Sequence, residues 1–143
     1  MNVVEEVQQK LDKKINKFFK KNEQRYYIDI DAKEIVPSAK IMFRDIECRF
    51  AIATGTHTPQ GFEILYHFSH DKTGKIFSLR VALDKNAPEI ESITSIITGA
   101  EWIEREMWEM LGINFKNHPN LKRLLLAPDF PEGVYPLRQK PRE

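Results

Sequence analysis

The fold of this chain is decided by the stretch Gly99-Ala100-Glu101-Trp102-Ile103-Glu104-Arg105-Glu106-Met107-Trp108-Glu109-Met110-Leu111-Gly112-Ile113-Asn114-Phe115. Its apolar residues recur at helical spacing and form one stripe, made of Ile103, Met107, Met110 and Leu111. Glu101, Arg105 and Glu109 lie at i, i+4 spacing and form a charged row on another face. Gly112 follows the last periodic residue and can adopt the left-handed conformation that ends a helix. The stretch therefore predicts a short amphipathic helix from about residue 100 to 111.

This helix is part of a longer ordered motif. The motif runs Ala100-x-Trp102-x-Glu104-Arg105-Glu106-x-x-x-x-x-Gly112-Ile113-x-Phe115-x-x-His118-Pro119-x-Leu121-x-Arg123 and is followed by Pro136-Leu137-Arg138. It resembles the signature of the respiratory-chain NADH dehydrogenase thirty-kilodalton-subunit family. That family includes the small hydrophilic subunit of complex I and its counterparts in membrane-bound, energy-converting [NiFe] hydrogenases. The resemblance is close over residues 93–138 and extends over residues 1–92 only in the order of elements.

The resemblance implies a non-catalytic structural subunit through which electrons do not pass. Such a subunit packs beside a large subunit related to the [NiFe]-hydrogenase catalytic subunit, and beside an iron–sulfur subunit, on the cytoplasmic arm of the complex. The residues implied to carry the motif and the partner interface are Trp102, Glu104, Arg105, Glu106, Gly112, His118, Pro119, Arg123, Leu124, Leu125, Pro136, Leu137 and Arg138.

Two departures from the family pattern bear on which complex is meant. The family commonly ends Pro-Leu-Arg-Lys-Asp-aromatic, where this chain has Gln139, Lys140 and Pro141 after Arg138. The family also tends to carry an acidic residue where this chain reads Gly55-Thr56-His57. Together with the short length, these departures favour an energy-converting hydrogenase or a related archaeal-type complex over complex I itself.

Composition indicates a single globular unit of ordinary charge. The chain has 143 residues, of which 41% are hydrophobic and 30% charged. Its 22 basic residues balance 21 acidic ones, so no overall field favours nucleic acid as a partner. No apolar run approaches the ~20 residues needed to cross a bilayer, and no apolar signal segment begins the chain. We expect a cytoplasmic protein that reaches the membrane only through its partners.

Periodicity predicts an α+β fold with two layers. Apolar residues every three to four positions predict an N-terminal helix over about 2–22, and Pro37 and Ser38 open a second helix that runs through Ile46. Strands are predicted over 26–31, 49–54, 61–68 and 75–83, and the last three are separated by tight-turn sequences typical of an antiparallel meander. The prediction is a mostly antiparallel four-stranded sheet with helices packed on one face.

The C-terminal residues differ in composition from the rest of the chain. Five prolines lie between residues 119 and 141, which makes regular structure improbable over most of this length. The same segment is too apolar for a solvated tail, because it contains Leu124, Leu125, Leu126, Phe130 and Tyr135. We therefore expect a globular domain over residues 1–112 and an extended arm over residues 113–143 that docks on a partner subunit.

Residues for redox or metal chemistry are sparse. The single cysteine, Cys48, cannot supply an iron–sulfur cluster or an internal disulfide, and neither a dinucleotide nor a phosphate-binding glycine motif is present. His57, His67, His70 and His118 lack the spacing of a helical metal site. We expect no catalytic, cofactor-binding or metal-ligating residue, and we interpret Cys48 as inert.

The triplet Glu104-Arg105-Glu106 has two interpretations. On its own it indicates a solvent-facing helix with ion pairs. With the resemblance it indicates a mostly buried cluster that fixes the arm, in which Arg105 offers a planar fork to two carboxylates.

Two other function classes remain open. One is a stand-alone enzyme that uses the carboxylates of this helix as acid and base. The other is a module that binds anionic surfaces through lysines opposite the apolar stripe of the N-terminal helix, which are Lys10, Lys13, Lys14, Lys17, Lys20 and Lys21. Neighbouring genes would separate these classes from a scaffold subunit.

Overall fold

A computed structural model describes residues 1–126 and 129–139 of the chain. Three α-helices are present in these ranges: α1 (Val3–Leu11), α2 (Ile35–Lys40), which continues as a π-helical turn over Ile41–Asp45, and α3 (Glu101–Leu111). The helix α3 has the bounds that the sequence predicts. The helix α2 begins slightly before the predicted start, and Ser38, predicted as its cap, lies inside it and is fully buried.

A five-stranded sheet forms the second layer. Its strands are β1 (Ile15–Lys20), β2 (Arg25–Ile30), β3 (Arg49–Thr58), β4 (Gly61–His70) and β5 (Lys75–Asp84), in the order β1-β2-β5-β4-β3. The meander β3-β4-β5 is antiparallel as predicted, and β1 pairs antiparallel with β2. Within this sheet only β2 and β5 run parallel, and the connection between them contains α2 and the first two strands of the meander. The α+β class is confirmed, and the sheet has one strand more than predicted.

The additional strand β1 corrects the predicted N-terminal helix over 2–22. The helix α1 ends at Leu11, and Asp12 takes a positive φ of 38° that breaks the helical path. The strand β1 contains a bulge between Ile15 and Lys17, so Ile15 and Phe18 both lie opposite buried residues of β2. The bulge gives the strand an apolar spacing of three, which the sequence alone cannot distinguish from a helix turn.

One face of the sheet carries the core. Large side chains of neighbouring strands lie opposite one another on it, as in the pairs Phe62–Leu83, Ile64–Val81, Tyr66–Leu79 and Phe68–Phe77. Buried residues of α1, α2 and α3 belong to the same apolar cluster, so the helices pack on this face as predicted. A fully buried aliphatic or aromatic side chain contributes roughly 1.5–3 kcal/mol, which makes this layer the main source of stability.

A small second sheet joins the residues on either side of α3. It pairs β6 (Glu89–Glu91) in parallel with β7 (Asn114–Lys116), and neither strand is predicted from the sequence. Ile113 and Phe115 are buried in the same core as the large sheet. Residues 113–116, which the sequence assigns to the arm, therefore pack with the domain.

Candidate functional site

The helix α3 lies between the sheet and the arm, and its position depends on two glycines. Gly55 of β3 faces α3, and a Cβ atom there would lie 2.8 Å from Leu111 Cδ1 and 3.1 Å from Met107 Sδ, so a larger residue would require these side chains to shift. Gly112 ends α3 with a φ of 77°, as the sequence predicts. A Cβ at Gly112 would also meet the side chains of Arg138 and Tyr135 at 2.5 and 2.7 Å. The arm therefore lies directly on the end of the helix.

Glu109 binds the arm through its carboxylate. Its Oε1 accepts hydrogen bonds from the backbone N–H groups of Leu124 and Leu126, at 3.1 and 2.8 Å, and its Oε2 accepts one from Leu125 at 2.9 Å. Burial acts to raise the pKa of Glu109, but the three N–H donors outweigh it and the pKa is lowered. A carboxylate with this many backbone donors holds a loop in one conformation, as an anion does at a helix start.

Arg105 binds the preceding residues of the arm. Its Nε donates to the carbonyl of Lys122 at 3.0 Å, and its Nη2 donates to the carbonyl of Arg123 at 2.8 Å. The predicted fork to two carboxylates is therefore wrong, since both acceptors are backbone oxygens of the arm. The predicted burial is confirmed for Glu104 and Arg105, whereas Glu106 is only half-buried. The alternative of a solvent-facing helix with ion pairs is wrong as well, because Glu104 and Arg105 are buried.

Glu104 points to the opposite side of α3, into the core. It is 0% exposed; its Oε1 accepts from the Ser92 hydroxyl at 2.6 Å and its Oε2 from the Ile93 N–H at 3.0 Å. Burial raises the pKa of Glu104 to about 7, although these two hydrogen bonds act to lower it. Glu104 thus ties α3 to the segment after β6 and titrates near neutral pH.

His118 completes this buried group. Its Nδ1 accepts a hydrogen bond from the N–H of Asn120 at 3.0 Å, so Nε2 is the protonated nitrogen and donates to the carbonyl of Glu101 at 3.0 Å. The same Nε2 is 3.8 Å from Oε1 of Glu104. The ring therefore joins the start of the arm to the first turn of α3.

Tyr66 and Ser92 also belong to this group, and sequence reasoning does not find them. The Tyr66 hydroxyl is buried and has no hydrogen-bond partner among the described residues. Burial, with the charge of Glu104, raises its pKa. Tyr66 lies in ordinary strand sequence and Ser92 in the loop before α3, so no local pattern distinguishes them.

The last described residues of the arm return to the domain. Arg138 donates from Nε to the carbonyl of Leu111 at 2.6 Å and lies over the rings of Tyr135 and Phe62. The N–H of Leu137 donates to Met110, and that of Gln139 donates to Nδ1 of His57. The motif residue Arg138 thus satisfies a carbonyl at the helix end, which otherwise has no partner within the helix.

Most of the remaining motif residues are exposed. Trp102 on α3 is 66% exposed and Leu125 in the arm is 60% exposed, which are large exposed fractions for apolar side chains of this size. Pro119, Pro136 and Leu137 are exposed as well, while Arg123 and Leu124 are half-buried. Arg123 lies over the Phe130 ring. The motif therefore contains buried charged residues that bind the arm or the core, Arg105 and Glu104, and exposed apolar residues such as Trp102 and Leu125.

The described histidine and cysteine side chains lie in separate environments. No group of three or more possible metal ligands occurs within residues 1–126 and 129–139. Burial raises the pKa of the Cys48 thiol to about 12, which makes it a poor nucleophile and supports its interpretation as inert. His67 and His70 each have a separate hydroxyl partner, Ser78 and Thr73 respectively. Of the helices described, none has the length and apolar character needed to span a membrane.

Comparison with known proteins gives consistent matches. The family model described as "Respiratory-chain NADH dehydrogenase, 30 Kd subunit" matches residues 28–142. Over 119 residues the chain is 40% identical to a subunit of the F(420)H(2) dehydrogenase of Methanosarcina mazei, covering 80% of this chain and 73% of that protein. Over 114 residues it is 35% identical to a subunit of the NADH-quinone oxidoreductase of Sinorhizobium medicae, covering 76% of this chain and 55% of that one, about half its length.

A solved structure shares the fold. A chain of the membrane-bound sulfane sulfur reductase, described as an archaeal respiratory membrane complex, superposes with a TM-score of 0.81 over 95% of this chain and 81% of that one. The two sequences are 20% identical, so this likeness is evidence for the fold alone.

Proposed function

The chain belongs to the respiratory-chain NADH dehydrogenase 30 kDa subunit family, and we propose that it is a non-catalytic, hydrophilic subunit of a membrane-bound oxidoreductase complex. In this proposal it packs beside a large subunit related to the [NiFe]-hydrogenase catalytic subunit and beside an iron–sulfur subunit. It lies at the cytoplasmic face of the membrane and reaches the membrane only through the complex. Electrons pass through its neighbours, and its own role is structural.

One observation carries this proposal: three buried charged residues of α3 are bound within the chain, whereas large apolar residues of the motif stay exposed. Arg105 and Glu109 bind the arm, and Glu104 binds the core, so none of them is available to a substrate. Trp102 and Leu125 stay exposed beside them. A rigid segment that displays large apolar side chains is typical of a protein–protein interface.

We propose that the complex is an energy-converting hydrogenase or a related archaeal-type complex rather than complex I itself. The departures at Gly55-Thr56-His57 and after Arg138 support this. The 40% identity to a subunit of an F(420)H(2) dehydrogenase supports a relative of complex I with a different electron donor.

The carboxylate-enzyme alternative has one observation in its favour, the pKa of about 7 for Glu104. That carboxylate is fully buried, and both of its oxygens accept hydrogen bonds from the protein. A substrate has no access to it. We therefore regard Glu104 as structural.

The alternative of a module that binds anionic surfaces is not supported by the positions of the lysines. It requires six lysines on one helix face, but Lys10 lies on α1 and Lys17 and Lys20 lie on β1. Lys14 and Lys20 are also paired with Glu34 and Glu23, at 3.9 and 2.7 Å.

The test is purification of the chain from its source cells through a small tag. Mass spectrometry of the purified material should detect a large subunit and an iron–sulfur subunit in equal amounts with the chain. The isolated chain should contain no stoichiometric iron, nickel or flavin by metal analysis and absorbance. Recovery of the chain alone from solubilised membranes, or an iron content near one cluster per isolated chain, would contradict the proposal.

A further inference from the structure

The two edges of the five-stranded sheet are unequally protected. The edge strand β1 has six residues, includes Lys17 and Lys20, and is bent by its bulge. These are the usual devices that prevent an edge from pairing with another chain. The opposite edge strand, β3, has ten residues, and between Phe50 and Thr58 it contains no lysine, acidic residue or proline. A bulge near Ile52 is its one device of this kind.

The outer side of β3 has free backbone groups. The strand pairs with β4 on one side only, and no backbone–backbone hydrogen bond joins β3 to any other segment within residues 1–126 and 129–139. A strand with ten residues and one partner leaves a row of N–H and C=O groups that an additional strand can bind.

A groove lies beside the edge strand β3. We call it the β3–α3 groove: it lies between Ile52 on β3 and Ile103 and Glu106 on α3. A cavity of about 550 Å³ forms one half, bordered by Phe43, Trp102 and Leu125, and a cavity of about 260 Å³ forms the other, bordered by Met110 and Leu137. Both halves share Ile52, Ile103 and Glu106, so the groove is continuous along α3.

Glu106 lies in the middle of this apolar groove. It is half-buried, and within the described part of the chain it makes no hydrogen bond or ion pair. Arg105 and Glu109 on α3 are bound to the arm, so Glu106 is the carboxylate that α3 presents to a partner at this groove. A half-buried carboxylate between apolar side chains favours a basic residue opposite it, because an unpaired charge in such a place is costly.

We propose that an extended segment of a neighbouring subunit pairs with β3 as a sixth strand, with alternate apolar side chains in the β3–α3 groove and an arginine or lysine facing Glu106. Side chains of a strand alternate between faces, so every second residue of the added strand points into the groove. The inference rests on the proposed function, since it requires that the chain be a subunit, and it identifies the chemistry of the partner segment. A second copy of this chain fits less well, because it would bring another Glu106 rather than a basic residue.

The position of the partner is tested with a photo-crosslinker. The complex is purified with p-benzoylphenylalanine in place of Ile52, and a matched sample carries it in place of Phe19 on β1; both side chains are 50% exposed in the chain. The probe at position 52 should crosslink to another subunit, and peptide mapping should locate the crosslink in a segment with alternating apolar residues and a nearby arginine or lysine. The probe at position 19 should give a yield lower by about tenfold. Crosslinks between two copies of this chain, or to its own C-terminal residues, would overturn the proposal.

Backbone pairing is tested by hydrogen exchange, which needs no variant. Amides within residues 49–58 should exchange at least about tenfold more slowly in the complex than in the isolated chain. Amides of β1 serve as the internal control and should change little. Equal exchange of β3 in the two states would show that no strand pairs there.

The energetic test compares Ile52→Lys with Phe19→Lys. The first variant should lower the yield of assembled complex roughly tenfold or more, because it places a charge on β3 beside the added strand. The second should assemble as the wild type does, and circular dichroism establishes that both fold. If the wild-type chain recovers no partner subunit, the proposed function itself fails. If the wild type assembles and Ile52→Lys assembles equally well, only the sixth-strand inference fails.

Discussion

Arg105 and Glu106 are neighbours on α3, yet they have opposite environments. Arg105 is buried and donates to two carbonyls of the arm, while Glu106 is half-exposed and faces the β3–α3 groove. The same division extends along the helix: one side carries Arg105 and Glu109, whose charges are bound by the arm, and the other carries Trp102, which is 66% exposed, and Ile103, which is partly buried against the core. One side of α3 therefore stabilises the subunit, and we expect the other side to serve assembly.

The largest effect should follow from Glu109→Ala. This variant leaves three backbone N–H groups without their carboxylate, and hydrogen bonds to charged groups contribute about 1.5–3 kcal/mol each, part of which water recovers once the arm detaches. We expect a loss of about 3 kcal/mol in the free energy of unfolding, measured by urea denaturation. Amides of Leu124, Leu125 and Leu126 should lose their protection in hydrogen exchange. Glu106→Ala is the control on the other side of the helix and should change stability by less than about 0.5 kcal/mol.

Glu109 also predicts how stability responds to acid. Its pKa is lowered in the folded chain, so its contribution is fully present above the unfolded pKa near 4.5 and is lost as pH falls through the lower folded value. Glu109→Ala should accordingly flatten the loss of stability below about pH 4.5. If the stability of Glu109→Ala fell with acid as steeply as that of the wild type, the role assigned to this carboxylate would be contradicted.

For Glu104 we expect the opposite dependence of stability on pH. Its pKa rises from 4.5 to about 7 on folding, so its ionisation costs stability as pH increases through that window. The shift corresponds to about 3 kcal/mol between pH 4.5 and pH 7. In Glu104→Gln the amide oxygen can accept from Ile93 and the amide nitrogen can donate to Ser92, so this dependence should vanish. Urea midpoints of the two proteins should coincide near pH 4.5, separate between pH 4.5 and pH 7 with the variant more stable, and stay apart above pH 7. Parallel curves across this window would be inconsistent with a buried, titrating Glu104.

A smaller effect is expected for Arg105→Lys. Lysine keeps the charge but cannot donate to the carbonyls of Lys122 and Arg123 in the fixed geometry of the guanidinium group. We expect a loss of about 1–2 kcal/mol in stability, with faster exchange in the arm and an intact sheet. If Arg105→Lys matched the wild type in both measurements, charge alone would explain the role of this residue.

The smallest effect on stability should come from Trp102→Ser. The side chain is mostly exposed and makes no described hydrogen bond, so the free energy of unfolding should change by less than about 0.5 kcal/mol. Assembly with partner subunits, measured by co-purification, should nevertheless decrease. A variant that assembled as well as the wild type would remove Trp102 from the proposed interface and weaken the distinction between the two sides of α3.

Much of the architecture is predictable from local sequence. The helix α3, its end at Gly112 and the meander β3-β4-β5 each depend on contacts or conformations within a few residues, and each is confirmed. The strand β1 is not predictable in this way, because its bulge imitates helical spacing. The pair β6–β7 also escapes prediction, since three-residue strands from distant parts of the chain have no periodicity of their own.

The candidate site is likewise predictable from the sequence only in part. Sequence by itself determines which residues of α3 share a face, because a helix of about 3.6 residues per turn places Glu101, Arg105 and Glu109 in one row. It does not determine what that row meets. Only the tertiary structure decides that the row faces the arm, that Glu104 points to Ser92 in the core and that Glu106 faces a groove. The physical reason is that hydrogen-bond partners 11 to 18 residues away in the chain are chosen by chain packing, and the helical period contains no information about them.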